Sequence, residues 1–88
     1  MKIKSEYSLL YTMDDISIVR TEPDGTVREV SPISASAAMA WEGFENGLTA
    51  EAIVEAIVAE FTGVSEEFAA QELEDFSAQL IALGYAEE

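Results

Sequence analysis

The chain has 88 residues, of which 18 are acidic and 4 are basic, so its formal net charge at pH 7 is −14. We expect this length to form a single domain over residues 1–88, burying about 60–65% of the unfolded chain's surface. Hydrophobic residues make up 49% of the chain, too many for a disordered acidic tail. The chain has no cysteine and no histidine, which excludes disulfides, thiolate zinc sites and Ser-His or Cys-His catalytic pairs. Composition therefore favours an acidic protein that is not an enzyme and holds neither metal nor cofactor.

The charge balance also limits the kinds of partner that the chain can bind. Nucleic acid is bound through Lys and Arg that neutralise phosphates, so a strongly acidic chain argues against it. The longest uncharged run, Val30 to Trp41, is too short and too rich in serine and alanine to span a bilayer. The apolar stretch Tyr7–Met13 ends at Asp14 and Asp15 without a cleavage site of small residues. We expect no membrane partner and a cytoplasmic location.

The first third of the chain has the alternating pattern of β-strands. Strands are predicted over Ile3 to Thr12, Ile16 to Thr21 and Thr26 to Val30, within residues 3–31. Asp14-Asp15 is predicted as the first turn and Pro23-Asp24-Gly25 as the second, because proline presets φ and Asp-Gly suits positive φ. The pattern predicts a three-stranded antiparallel meander.

A two-residue turn at Asp24-Gly25 would define the register of the second hairpin. Arg20 would then lie opposite Glu29, and Val19 opposite Val30, which are two favourable cross-strand pairs.

The chain after Pro32 has a helical period, and three helices are predicted within residues 34–84. The first is capped by Ser34 or Ser36, the second by Thr49 and the third by Ser65. Gly84 is placed to end the third helix in a left-handed conformation. The third helix has one apolar stripe with steps of four, three, four and three residues, formed by Ala69, Leu73, Phe76, Leu80 and Leu83.

These elements predict an α+β fold, a three-stranded antiparallel β-meander followed by three α-helices. This combination of a hairpin and three short helices is winged-helix-like, but here the hairpin precedes the helices. The predicted third helix carries five acids and no Lys or Arg, which excludes a DNA recognition helix.

Three candidate sites have simpler explanations. The acids at Asp14-Asp15 and Asp24 lack the spacing of a calcium loop and are explained by turn chemistry. Glu72 and Asp75 share a helical face, but no partner base or aromatic platform accompanies them, so a solvated acidic face is the better interpretation. The serines lack the Asp-Ser-Leu motif of acyl carrier proteins and are better explained as helix caps.

Trp41 is the only tryptophan and stands at an apolar helix position. It is either an exposed interaction hot spot or a core residue with its N–H paired. The core interpretation is favoured.

The third strand is expected to lie at an edge of the meander, with one unpaired row of backbone groups. Charge and proline at Arg28, Glu29 and Pro32 would protect such an edge, or the edge would accept an extended peptide or a second copy of the chain. If the third helix lies beside this edge, one of its faces forms the second wall of a groove. That face carries Phe68, Glu72, Asp75 and Gln79, spaced by four, three and four.

Four segments resemble a known family. Ile33 to Trp41 is similar to "Leu-Asn-x-Thr-Gly/Ala-Ala-x-Ile-Trp", and Gly47 to Val54 is similar to "Gly-x-Thr-x-Glu-Glu-Ile/Leu-Val". Glu60 to Glu67 resembles a "Glu-Tyr-x-Val-x-x-Glu" junction, and Leu73 to Tyr85 resembles "Val-x-x-Phe-x-x-x-Leu-x-x-x-Gly-Leu/Ile". These are signatures of the pyrroloquinoline quinone synthesis protein D (PqqD-like) family, also known as peptide recognition elements. The likeness covers about residues 3 to 86, although the third strand matches weakly.

The resemblance implies a function. Members are not enzymes; they bind the leader segment of a ribosomally made precursor peptide as a fourth strand against the third helix. They present it to a modifying enzyme, often of the radical S-adenosylmethionine (radical SAM) type. Carried onto this chain, the resemblance implies that the peptide contacts the edge strand Val27, Arg28, Glu29, Val30 and Ser31, and the helix wall Phe68, Glu72, Asp75 and Gln79. The alternative is an acidic adaptor without a peptide groove that docks to a basic protein.

Overall fold

The computed structural model describes residues 1–88. Five strands and three helices follow in the order β1 (Lys2–Ile3), β2 (Tyr7–Tyr11), β3 (Ile16–Thr21), β4 (Val27–Pro32), α1 (Ala35–Glu45), α2 (Ala50–Glu60), α3 (Glu66–Ala82) and β5 (Ala86–Glu87). Strands β2, β3 and β4 form an antiparallel meander, and the three helices follow it, which confirms the predicted α+β fold. None of the helices is long and apolar enough to cross a membrane.

The predicted first strand is two strands in different sheets. The chain turns between Ile3 and Tyr7, where the Tyr7 N–H donates to the Lys4 carbonyl. The short strand β1 pairs instead with β5, so that Ile3 lies opposite Ala86 in a separate two-stranded sheet. The C-terminal residues therefore return to β1, and the expected continuous strand from Ile3 to Thr12 was wrong.

The first turn lies one residue earlier than predicted. The Thr12 N–H donates to the Asp15 carbonyl, so Met13 and Asp14 are the two central residues of the turn. The Thr12 hydroxyl also accepts from the Asp15 N–H at 3.0 Å, which completes the turn.

The second hairpin has a different register from the predicted one. Its loop has three residues, because the Glu22 N–H donates to the Thr26 carbonyl and Gly25 has a φ of +88°. The Asp24 carboxylate accepts from the Thr26 N–H at 2.9 Å, and this bond lowers the pKa of Asp24.

As a result, Arg20 lies opposite Arg28 and Val19 opposite Glu29, which corrects the predicted Arg20–Glu29 and Val19–Val30 pairs. The two arginines would repel each other, but Glu22 Oε1 lies 3.7 Å from Arg20 Nε and 3.6 Å from Arg28 Nη2. The register shifts back by one between Ile18 and Val19, so Val30 has no partner on β3 and forms a bulge.

The helices begin at the predicted caps. The side-chain oxygens of Ser34, Thr49 and Ser65 accept hydrogen bonds from the backbone N–H groups three residues later. Gly84 follows the end of α3 with a φ of +83°, as predicted.

The core consists of two clusters. One joins Trp41 to both ends of the chain and contains Ile3, Ile18, Trp41, Leu80 and Ala86. The other lies between the helices and contains Ala40, Ile53, Ile57, Ala69 and Leu73. Phe44 and Phe76 pack against both.

Trp41 is fully buried, which confirms the core interpretation, but its Nε1 has no hydrogen-bond partner, contrary to expectation. Leu83 was expected on the buried stripe and is 64% exposed. It is the C-cap of α3, so the chain leaves the helical period there and Tyr85 packs on the core instead.

Replacing Gly43 by alanine is expected to destabilise the fold. A Cβ at this position would lie 2.6 Å from Ile53 Cγ1, so α1 and α2 would have to separate. Overpacking of this kind costs about 1–3 kcal/mol, and the better helix propensity of alanine offsets about 1 kcal/mol of it. Urea unfolding of Gly43→Ala, Ile53→Ala and the double variant measures the coupling. A double variant that loses as much as the sum of the two single variants would contradict the close contact.

The Tyr11 hydroxyl donates to the Glu42 carboxylate and so links β2 to α1. This bond, partial desolvation and the charges of Glu42 and Glu45 raise the pKa of Tyr11 to about 12. The folded state therefore holds this proton between pH 10 and 12 where the unfolded state releases it, and stability from the link is lost as pH rises through that range. Because Tyr11 is 54% exposed, we expect the contribution to be below about 1 kcal/mol. Urea unfolding should show the difference between the native chain and Tyr11→Phe shrinking from pH 9 to 12.

Candidate functional site

Strand β4 is an open edge of the meander. Its only strand neighbour is β3, and every residue of β4 except Ser31 is exposed. Val27 is 57% exposed and Val30 39%. The structure thus places all five residues of the predicted edge, Val27 to Ser31, on a strand that has one unpaired side.

The hydrogen bonds of the hairpin decide which backbone groups of β4 point outward. Hydrogen-bonded and non-hydrogen-bonded pairs alternate along an antiparallel ladder. The Glu22 N–H donates to the Thr26 carbonyl, so Glu22 and Thr26 form a hydrogen-bonded pair. Two residues further along β4, Arg28 therefore directs its N–H and C=O toward β3. Val27 and Glu29, which lie on either side of Arg28, direct theirs to the open side. Beyond the bulge the Ile33 N–H donates to the Ile16 carbonyl, so Ser31 also faces β3. Val27 and Glu29 therefore offer donors and acceptors to an added strand.

A cleft of ≈180 Å³ lies between α3 and the first turns of α1. All four residues of the predicted helix wall line it, namely Phe68, Glu72, Asp75 and Gln79. Its floor is apolar and includes Ala40, Ile57, Val64, Ala69, Leu73 and Phe76. Phe68 is 58% exposed and adds apolar surface to the lining of the cleft.

The cleft adjoins the end of β4 through the chain itself. Pro32 is the last residue of β4, and Ser34, two residues later, already lines the cleft. The short connection brings the end of the open strand, at Pro32, close to the cleft.

The rim of the cleft is acidic. Glu72 has no hydrogen bond or ion pair with another side chain, and Asp75 accepts from Gln71 Nε2 at 3.1 Å. Residues 33–88 contain 12 of the 18 acids and none of the basic residues. A cation entering the cleft would therefore find negative charge and no competing side-chain cation on the helices.

Sequence reasoning missed the wall that α1 contributes. Ser34, Ser36 and Ala37 line the cleft opposite α3, and the two serine hydroxyls are 3.3 Å apart. Ser34 is also the predicted cap of α1, because its side-chain oxygen accepts from the Ala37 N–H. The signal available was the two-residue gap between strand and helix, which forces the first turn of α1 to the end of β4.

A second groove lies between the N-terminal halves of α2 and α3. Five glutamates surround it, namely Glu51, Glu55, Glu66, Glu67 and Glu74. No group of three or more acidic side chains is arranged to hold a metal ion.

No family model matches the chain, and no curated protein matches it. Two solved structures are similar over 99% of its length. TbiB1 in complex with the TbiA(beta) leader peptide is 26% identical, with a TM-score of 0.72 over 95% of that chain. Lasso peptide synthetase B1 complexed with the leader peptide is 15% identical, with a TM-score of 0.75 over 96% of that chain, and this likeness concerns the fold. The chain therefore shares its fold with two proteins solved with leader peptides, while membership of the PqqD-like family stays a prediction.

Proposed function

We propose that this protein is a non-catalytic peptide chaperone that binds the leader segment of a ribosomally made precursor peptide by strand addition at β4. One observation carries the proposal. An open strand edge ends at a cleft that holds all four predicted wall residues, in a chain that is similar over 99% of its length to TbiB1 in its leader-peptide complex.

In this arrangement the leader lies along β4 and bonds the outward backbone groups of Val27 and Glu29. Alternate side chains of an extended peptide point to the same side, so every second leader residue faces the helices. An apolar leader side chain covers Phe68 and enters the cleft. Full burial of a large apolar side chain such as Leu, Ile or Phe contributes about 1.5–3 kcal/mol. Backbone bonds then provide affinity and the cleft provides specificity.

The bound precursor is presented to a modifying enzyme. The resemblance to PqqD-like proteins suggests a radical SAM enzyme, whereas one of the two similar structures is lasso peptide synthetase B1 complexed with the leader peptide. The modifying enzyme is thus radical SAM or another peptide-modifying type, and the chain itself supplies no catalytic group to it.

An amide chemical-shift titration tests the proposal. The probe is a synthetic leader peptide of the precursor encoded beside the gene, added to the ¹⁵N-labelled full chain. We expect the largest shifts at Val27–Ser31 and along Phe68, Glu72, Asp75 and Gln79. Shifts confined to other surfaces would contradict strand addition.

The second candidate function is the acidic adaptor, and the groove with five glutamates favours it. An adaptor would bind any basic peptide whose charge equals that of the leader. The amide chemical-shift changes would then lie around Glu51, Glu67 and Glu74. A scrambled leader of equal charge separates the two functions, because it retains the charge but loses the order of side chains that the cleft requires.

Charge-neutralising variants are expected to locate the binding surface. Glu72→Gln with Asp75→Asn removes two charges from the cleft, and Glu67→Gln with Glu74→Gln removes two from the other groove of the same helix. For a leader that carries Lys or Arg, the cleft variant should bind about 3–10-fold more weakly, because exposed ion pairs contribute up to about 1 kcal/mol each. The control variant should change affinity by less than about twofold. Calorimetry at two salt concentrations provides the measurement, and an equal loss in both variants would favour the adaptor.

A further inference from the structure

Strand β2 is the other edge of the meander, and it is not protected. Its only strand neighbour is β3. The segment Tyr7–Met13 contains no charge, proline or glycine, whereas β4 carries Arg28, Glu29 and Pro32. Leu10 is 46% exposed and Met13 is fully exposed. Exposed edges of this composition pair readily with another strand.

The outward backbone groups of β2 follow from its ladder. The Thr21 N–H donates to the Glu6 carbonyl and the Thr12 N–H to the Asp15 carbonyl. The alternation of the ladder then directs Ser8 and Leu10 toward β3, and it directs the N–H and C=O groups of Leu9 and Tyr11 to the open side. The Tyr7 carbonyl also points outward, while the Tyr7 N–H is bonded to Lys4.

This set of groups is self-complementary. In an antiparallel pair centred on Leu9, each Leu9 exchanges two bonds with the Leu9 of the other copy, and each Tyr11 N–H donates to the other copy's Tyr7 carbonyl. Every outward N–H of β2 then has an acceptor. On the outer face of the sheet, Ser8 of each copy lies opposite the other copy's Leu10.

Charge favours the strand half of the chain over the helices as the contact between two copies. All four basic residues lie within residues 1–32, together with only 6 of the 18 acids. Two chains that each carry a net charge of −14 therefore repel each other least when their strand halves meet. We infer that β2 pairs antiparallel with β2 of a second copy, which forms a two-fold dimer with a continuous six-stranded sheet and leaves both β4 edges free.

Sedimentation velocity on the full chain tests the dimer over a concentration series up to about millimolar. The apparent mass should rise from 9.6 kDa toward twice that value. The dimer should be stronger at 0.5 M than at 0.05 M salt, because salt screens the repulsion between the copies. A mass that stays monomeric at every concentration and salt overturns the inference.

Two matched variants test the register. Ser8→Glu with Leu10→Glu places like charges opposite each other across the pair, whereas Ser8→Glu with Leu10→Lys places opposite charges there. Both positions are exposed, so both variants should keep the native melting temperature. We expect the first variant to remain monomeric and the second to dimerise at least as well as the native chain. Equal dimerisation of the two variants overturns the pairing.

Adding the leader peptide distinguishes the two edges. A dimer through β2 retains its mass when the leader binds, whereas dissociation of the dimer by the leader would place the contact at β4 and overturn the inference.

Discussion

Trp41→Ala is expected to remove most of the stability of the fold. Trp41 is fully buried and packs with Ile3, Ile18 and Leu80, so it joins the N-terminal strand, the meander and the last helix. Truncation of a buried aromatic costs about 3–5 kcal/mol. A domain of this length has a free energy of unfolding of roughly 4–13 kcal/mol, so a large unfolded population is expected near the lower end of that range. Urea unfolding followed by far-UV circular dichroism measures the loss.

Trp41→Phe is the matched control. It retains an aromatic ring and removes the Nε1–H, which has no hydrogen-bond partner in the native fold. An unpaired buried donor costs about 1–3 kcal/mol, so its removal compensates part of the lost packing. We expect Phe to cost less than half as much as Ala. An alanine variant that loses less than about 1 kcal/mol would contradict the role of Trp41 in joining the two ends of the chain.

The helices were predictable because their signals are local. Ser34, Thr49 and Ser65 each accept the expected capping bond, and Gly84 has the expected positive φ. A cap depends on a few neighbouring residues and is therefore readable from sequence alone. The end of the buried stripe was missed, since Leu83 is the C-cap of α3 and Tyr85, beyond the helix, packs on the core in its place.

The strand register was not predictable for the opposite reason. The Asp24–Thr26 bond favours a three-residue loop over a two-residue one, and this single residue moves every cross-strand pair between the loop and the bulge. The bulge at Val30 then restores the register near Ile18, a buried core position. The position of the bulge depends on how the sheet packs, which no local pattern encodes, and the length of the loop depends on one side-chain bond that the turn composition alone did not reveal.

The candidate site was partly predictable. Helical spacing alone grouped Phe68, Glu72, Asp75 and Gln79, and all four line one cleft. The opposite wall at Ser34 and Ser36 required the path of the chain between β4 and α1. The outward direction of Val27 and Glu29 required the observed hydrogen bonds, because a change of one residue in register would exchange them with their neighbours.

Val27→Pro is expected to weaken leader binding while leaving the fold intact. The Val27 N–H points to the open side of β4, so proline removes a donor from the proposed peptide contact and none from the ladder with β3. The Val27 side chain is 57% exposed, so little packing is lost. Loss of one backbone bond and of the edge geometry should lower leader affinity about tenfold. Calorimetric titration with the leader peptide and a thermal melt measure the two effects.

Arg28→Pro and Val27→Thr are the matched controls. The Arg28 N–H bonds toward β3, so proline there removes a ladder bond and should lower the melting temperature much more than Val27→Pro does. Val27→Thr keeps the N–H and the β-branched shape and should bind the leader within about twofold of the native chain. If the protein is instead an acidic adaptor, none of these changes at β4 should affect binding as long as the chain is folded. Native leader affinity in a folded Val27→Pro variant would therefore exclude strand addition. If Val27→Pro loses affinity and Val27→Thr does not, the missing backbone N–H of β4 explains the loss.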